Sequence, residues 1–361
     1  MAAVDTPQQY AARFALPSAP DRIESFPGGH INDSYLVGCA AHPERFLLQR
    51  VNSEVFPKPA WIMENIARVS AHVTEKLGGS QPFLQLVPTQ DGTPYLSDES
   101  GDLWRVYAFI EGATMKESAG SPAEAAEAGR AVGEFQVLLA DLPGPRLHEI
   151  IPQFHHTPSR FQALRQAVHA DAAGRLAACQ DTVDFALSCE ELGLPIVAGI
   201  ESGAIPERAV HNDAKMSNVL LDAASGEALC VVDLDTVMPG STLYDFGDMM
   251  RTMLCAAPED EQDLSKLHAD PTMFAALAEG YLGAARSILN QAELDLLVHA
   301  GVLITLETGV RFLSDHLDGD HYFRVHREGQ NLDRARAQFA LVRSMLTQRS
   351  DFEACVAQIL S

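Results

Sequence analysis

The stretch "VHNDAKMSNVLLD", Val210–Asp222, decides how the rest of the chain is read. It holds His211, then Asp213, then Asn218, and an apolar run follows at once. A second apolar run, "ALCVVD", ends at Asp233, and "DAASGEA" lies between the two. Two short apolar runs around a small polar turn predict a β-hairpin. A hairpin brings its far ends together. Asp213, Asn218 and Asp233 are therefore expected at one edge despite their separation in sequence.

That trio suits phosphoryl transfer. One acid accepts the proton of an attacking hydroxyl, while an asparagine oxygen and a second acid hold magnesium on the phosphates. The order H-x-D-x-x-x-x-N, apolar strand, turn, apolar strand, acid is the kinase catalytic-loop pattern. A lone H-x-D is more often a turn, and a lone acid after a strand is usually a cap; the signal is their combination in this order. "YDFGD" supplies a literal Asp245-Phe246-Gly247, but it follows a proline-glycine loop well beyond the hairpin. Asp233 occupies the required place. Asp245 and Asp248 are expected to brace the catalytic loop or cap the helix that follows. Asp235 is open to two roles, an extra metal ligand or a supporting acid.

The bulk properties agree with a small-molecule enzyme. The chain has 361 residues, 47% hydrophobic, enough for two domains or one two-lobed unit. With 49 acids against 26 bases the formal net charge is -23, which excludes a nucleic-acid binder that needs a basic face. Six cysteines show no C-x-x-C pair and no disulfide or zinc spacing, which fits a cytoplasmic protein. The N-terminus lacks the pattern of a signal peptide. No apolar run reads as long enough to cross a bilayer, so no membrane partner is expected.

The first third reads as β-rich. "SYLVG" and "RFLLQRV" are predicted strands, "AWIMENIARVSAHVTEKL" a helix opened by Pro57 and Pro59 and stopped by Gly78-Gly79, and "PFLQLVP" and "LWRVYAFIEG" two further strands. After "EGAT" the composition changes. "SPAEAAEAGRAVGEFQVLLADL" has an N-cap serine, a proline at the first helical position and a helical apolar pattern. Helices are expected from there to the end, apart from the hairpin. The predicted class is α+β: residues 1–112 a small antiparallel sheet with one helix, residues 113–361 mainly helical with the catalytic loop.

"HNDAKMSNVLLD", "CVVDLDTVMPG" and "LYDFGDMMR" together resemble the aminoglycoside phosphotransferase and choline kinase superfamily, of bilobal protein-kinase-like fold. "GGHINDSYLV", "FLLQRVN", "WIMENI", "LETGVRFLSDHLDGDHYF" and "NLDRARAQF" resemble most closely its N-acetylhexosamine 1-kinases, so the resemblance spans nearly the whole chain. It implies an ATP- and magnesium-dependent kinase that phosphorylates the anomeric hydroxyl of N-acetylglucosamine or N-acetylgalactosamine. Asp213 would be the catalytic acceptor, with Asn218 and Asp233 the metal ligands. Lys215 is open to a role at the transferring phosphoryl group or to plain solvation. Phe109, Ile110 and Glu111 would form the connection that meets adenine through its backbone.

The chain departs from the kinase pattern in two places. The phosphate-covering loop "FPGGHINDSYLV" has only Gly28 and Gly29 instead of spaced glycines, followed by His30 and Asp33. An aspartate against triphosphate is repelled, so His30 and Asp33 are assigned to sugar hydroxyls, against the alternative of an Asx turn. Gln49 falls where the family places a cation for the nucleotide phosphates, and a neutral side chain would weaken any pair with Glu64. Gln49 and Arg50 point to opposite faces. Arg50 is open to nucleotide, sugar or a structural ion pair, and a cleft role is favoured. Arg311 and Tyr322 are the remaining sugar contacts, although Arg311 and Asp315 are spaced to pair on one helix. His155-His156 reads as a plain loop. The rival readings are a kinase of an amino-alcohol or aminoglycoside and a non-catalytic kinase-like binding protein.

Overall fold

The computed structural model describes residues 6–27, 32–40, 42–52, 56 and 58–361. The chain forms two compact units. The first runs to Thr114 and also takes in 141–152 and 220–238; the second holds 115–140, 153–219 and 239–361. A single boundary after residue 112 is expected from composition, whereas residues 220–238, with most of the hairpin and the acid turn after it, belong to the first unit.

The first unit opens with a short helix, α1 (Pro7–Ala11), capped by Thr6. Its main sheet uses β1 (Pro20–Ser25), β2 (Asp33–Cys39), β3 (Arg45–Val51), β4 (Leu86–Val87), β5 (Leu96–Ser97) and β6 (Leu103–Ala108). The order is β1-β2-β3-β6-β4, with β5 also on β6, and the pairings are antiparallel. α1 and β1 were not foreseen, and "PFLQLVP" contributes only two strand residues. Alternation sends Val37, Leu48, Trp104 and Val106 into one cluster with Tyr10 and Phe14. Tyr10 stacks on Trp104 at 4.3 Å. After β3 comes helix α2 (Pro59–Leu77), with proline in its first turn and Gly78 left-handed at its C-cap. Ile62, Met63, Ile66, Val69 and Val73 line its buried face, each worth about 1.5–3 kcal/mol on burial. Strand β7 (Ala113–Thr114) pairs with the hairpin's first strand, through Ala113 to Asp222 and Thr114 to Leu221.

The second unit is helical: α3 (Pro122–Leu139), α4 (Thr157–Ala170), α5 (Leu176–Ser188), α6 (Leu194–Glu201), α7 (Thr242–Met253), α8 (Pro271–Ala285), α9 (Gln291–Asp295), α10 (Leu297–Asp318), α11 (Gln330–Thr347) and α12 (Arg349–Leu360). The Ser121 side chain caps α3 by accepting from the Glu124 amide, as its sequence predicts. By length and hydropathy α10 could cross a bilayer, contrary to the sequence reading. It is instead a core helix, with 83% of its apolar window buried. Strand β8 (Arg208–Val210) leads into the loop that holds Asp213, and the predicted hairpin is present as β9 (Val219–Asp222) and β10 (Ala228–Val231).

Candidate active site

Asp213 and Asn218 meet within the second unit. The Asn218 side-chain amide donates to the Asp213 carbonyl at 2.8 Å and to its carboxylate at 3.2 Å. This leaves the Asn218 amide oxygen as the atom to offer a hard cation. Lys215 lies 3.1 Å from the Asp213 carboxylate. Burial alone would raise Asp213, but Lys215, His211 and Arg251 outweigh it and hold the carboxyl below its usual value. At neutral pH it is therefore ionised and chemically able to accept a hydrogen bond from a hydroxyl.

The loop around Asp213 is braced from two sides. Asn212 carries a left-handed backbone, φ 65°. On one side the buried Asp245 carboxylate accepts from the backbone amides of His211 (3.1 Å) and Asn212 (2.7 Å) and from Gln136 (2.9 Å). Asp245 is thus a brace inside α7, one of the two roles expected for it. Its neighbour Gly247 serves packing, since a Cβ there would meet the Ala300 carbonyl at 2.5 Å. Asp248 pairs with Arg251 at 2.7 Å.

On the other side is His155, in the turn before α4. Its Nε2 donates to the Asn212 carbonyl at 2.9 Å, and its Nδ1 faces Glu307 at 2.8 Å. Both ring nitrogens face acceptors, which favours the imidazolium. Burial alone would lower His155, but Glu307 and the Asn212 carbonyl hold it above the usual histidine value. Burial alone would raise Glu307, but His155 and Thr157 keep it low.

One turn along α10 from Glu307 stands Arg311. Its guanidinium lies 5.3 Å from the Phe154 ring, 5.3 Å from Phe323 and 5.7 Å from Tyr322. Tyr322 is 65% exposed, and its hydroxyl is 3.4 Å from Arg311. Arg311 and Tyr322 are thus brought together. Arg311 and Asp315 do not pair. Asp315 instead accepts from the backbone amides of His321, Tyr322 and Phe323 at 2.7–2.9 Å and so sets the loop that presents Tyr322.

Asp233 belongs to the first unit. It is exposed, with a left-handed backbone (φ 60°), and begins the tight turn Leu234–Thr236. Asp235 is buried, and both its oxygens are engaged, one by Arg105 and the other by Asn32 at 2.6 Å. That makes it a supporting acid and removes the role of extra metal ligand.

The strand residues correct several expectations. Gln49 is bonded at both ends within the sheet. Its oxygen accepts from Arg105 at 2.8 and 3.0 Å, and its nitrogen donates to the Ser34 hydroxyl at 3.0 Å. Arg50, for which a cleft role is favoured, and Asp33, assigned to sugar, face each other across β2 and β3, with Arg50 Nε 3.0 Å from the Asp33 carboxylate. Arg50 also lies 3.4 Å from Asp102, so the structural ion pair is the alternative observed. Glu64 pairs with His148 rather than with the sheet. The Phe109 amide donates to the Arg45 carbonyl at 2.9 Å, so that amide is taken within the sheet, and the Glu111 carboxylate is bound by Arg45 at 2.8 Å. Ile110 follows directly, half-buried. Gly28, Gly29 and His30 lie outside the described residues.

Among the described residues no group of three or more His, Cys, Asp or Glu could hold a metal ion. Magnesium on a nucleotide needs only one or two protein oxygens, the rest coming from phosphate and water. Within the second unit the Asn218 amide oxygen is a donor of that kind, and within the first unit so is the exposed Asp233 carboxylate.

A profile of the phosphotransferase enzyme family matches residues 22–279. Solved structures of similar fold include a microcompartment-associated aminopropanol kinase, with a TM-score of 0.59 at 14% identity over 96% of this chain and 97% of that one. An aminoglycoside phosphotransferase from Alicyclobacillus acidocaldarius gives 0.59 at 15% identity, covering 99% and 96%. A spectinomycin phosphotransferase in complex with ADP and spectinomycin gives 0.51 at 12% identity, covering 88% and 91%.

Proposed function

The chain belongs to the phosphotransferase enzyme family, and on that premise we propose that it transfers the γ-phosphoryl group of ATP to the anomeric hydroxyl of an N-acetylhexosamine. Asp213 accepts the hydroxyl proton as the C1 oxygen attacks the γ-phosphorus; the bond to the β-phosphate oxygen breaks, and the products are the sugar 1-phosphate and ADP. The ADP bound to the spectinomycin phosphotransferase supports ATP as donor. Asn218 and Asp233 would hold magnesium, whose charge offsets that on the phosphates. Lys215 keeps Asp213 ionised and stands beside it as a second cation.

The observation that carries the choice of acceptor is the cluster around Arg311. Arg311 stands among Phe154, Tyr322 and Phe323. Two acids on the same helix, Glu307 and Asp315, are already engaged, the first by His155 and the second by backbone amides. A guanidinium repels an ammonium substrate but donates well to hydroxyl and acetamide oxygens, and an exposed tyrosine suits the face of a sugar ring. This favours a neutral sugar over an amino-alcohol or aminoglycoside, the acceptor classes named for the similar structures. A panel comparing kcat/KM for N-acetylglucosamine, N-acetylgalactosamine, glucose, ethanolamine, aminopropanol and an aminoglycoside tests it. The N-acetylhexosamines should lead by at least about tenfold, roughly 1.4 kcal/mol; a cationic acceptor in first place refutes the sugar assignment.

A further inference from the structure

In protein kinases a lysine on the third strand pairs with a glutamate on the following helix, and activity requires that pair. Neither partner is present in that role here. Gln49 stands on β3, and Glu64 on α2 is taken by His148. The sheet carries its buried cation one strand over. Arg105, on β6, is the register partner of Gln49 and is 1% exposed. A lone arginine so deep in a sheet is costly unless its charge is met. It is met by Asp235, itself 4% exposed, through a direct ion pair.

The surroundings of that pair are built to hold it. Gln49 receives two hydrogen bonds from the Arg105 guanidinium, and Ser34 in turn receives one from Gln49. Asn32 donates to the second Asp235 oxygen, while its own oxygen accepts from the Asn52 amide at 3.0 Å. Asn65 donates to the Val237 carbonyl at 2.9 Å and fixes the far end of the turn. Asp233, two residues before Asp235, is left-handed, a conformation that persists only when its surroundings impose it.

We propose that the Arg105–Asp235 ion pair, with Gln49 and Asn32 as struts, is the positioning device that holds Asp233 where metal-bound nucleotide needs it. It takes over the organising part of the strand-lysine and helix-glutamate pair but not the contact with phosphate, because Arg105 is enclosed. Gln49 is then a part of the device and not a vacant cation position. The inference rests on the metal role proposed above for Asp233 and is independent of which acceptor is phosphorylated.

The test is ADP binding to the full chain by calorimetry, with and without Mg²⁺ and with no acceptor present. Wild type should bind ADP at least tenfold tighter with Mg²⁺. Asp235→Asn and Arg105→Gln should lose most of that enhancement while metal-free ADP binding changes less than threefold; Arg105→Lys, which keeps the charge, should be intermediate. Gln49→Lys places a second cation beside Arg105 and should also reduce the enhancement. A variant set that keeps the wild-type enhancement, or loses metal-free and Mg²⁺-dependent binding equally, overturns the positioning role. So does tighter ADP binding by Gln49→Lys in both conditions, the behaviour of a restored phosphate lysine. If Asp235→Asn does not fold, Arg105→Lys and Gln49→Lys decide by the same criteria. No Mg²⁺ enhancement in wild type removes the metal role of Asp233 itself, and the device with it.

Discussion

Two acids of this chain, Asp213 and Asp233, are held by similar backbone geometry and opposite chemistry. Each sits at or next to a left-handed residue, Asn212 (φ 65°) in one case and Asp233 itself in the other. The Asp213 loop is fixed through its main chain, by carboxylate-to-amide bonds from Asp245 and by a histidine that titrates. The Asp233 turn is fixed through a neighbouring side chain, by an arginine that does not titrate. The first brace thus holds a histidine whose charge depends on pH, whereas the cation of the second keeps its charge.

The comparison can be broken at its catalytic end first. Asp213→Asn should lower kcat by about 10²–10⁴-fold, the usual share of a positioned proton acceptor, while ATP binding measured by calorimetry stays near wild type. Turnover within about tenfold of wild type would remove Asp213 from the chemistry.

The titrating brace comes next. Glu307→Gln leaves a buried His155 without its counter-charge, and breaking such a pair costs about 3–5 kcal/mol. His155 is raised, so its contribution to stability is complete below about pH 6.5 and lost as pH rises through its folded value. Glu307 is lowered, so its contribution is present above about pH 4.3 and lost as pH falls through its folded value. Thermal melts should show wild type losing Tm above about pH 6.5 more steeply than Glu307→Gln. Parallel curves for the two proteins would show that this brace does not titrate.

Arg311→Ala sharpens the acceptor side. It should raise the acceptor KM about tenfold, with kcat changed less, as expected when binding common to ground and transition states is removed. A gain of activity toward ethanolamine would show that Arg311 excludes cations even more strongly than it binds sugar.

The smallest effect is expected at Arg50. Its pair with Asp33 is about half exposed, so Arg50→Ala should cost at most about 1 kcal/mol of stability and leave the acceptor KM unchanged. A large rise in that KM would restore the sugar role that the observed ion pair argues against.

Contiguity explains which features were legible in the sequence. The loop from His211 to Asn218, the hairpin and the end acid Asp233 lie within one short segment, and their order alone carried the reading. The Ser121 cap and helix α2 were legible for the same reason. The braces were not, because their partners are distant: Arg105 and Asp235 are 130 residues apart, His155 and Glu307 152. No spacing rule joins such pairs. One signal was available, since a lone arginine inside "LWRVYA" is a charge in an apolar strand and must find an acid. The partner of Gln49 is likewise distant in sequence, the Arg105 side chain opposite it on β6. The Arg311–Asp315 spacing suggested a helical pair, but the loop amides after the helix offered Asp315 three donors instead.

The most direct measurement is a phosphorus NMR spectrum of the products formed from ATP, Mg²⁺ and N-acetylglucosamine or N-acetylgalactosamine. The account predicts one new resonance coupled to the anomeric proton, with ADP formed in equal amount, and no such resonance with Asp213→Asn. Phosphate on any other carbon, or ATP left intact with both sugars while a cationic alcohol is phosphorylated, would contradict it.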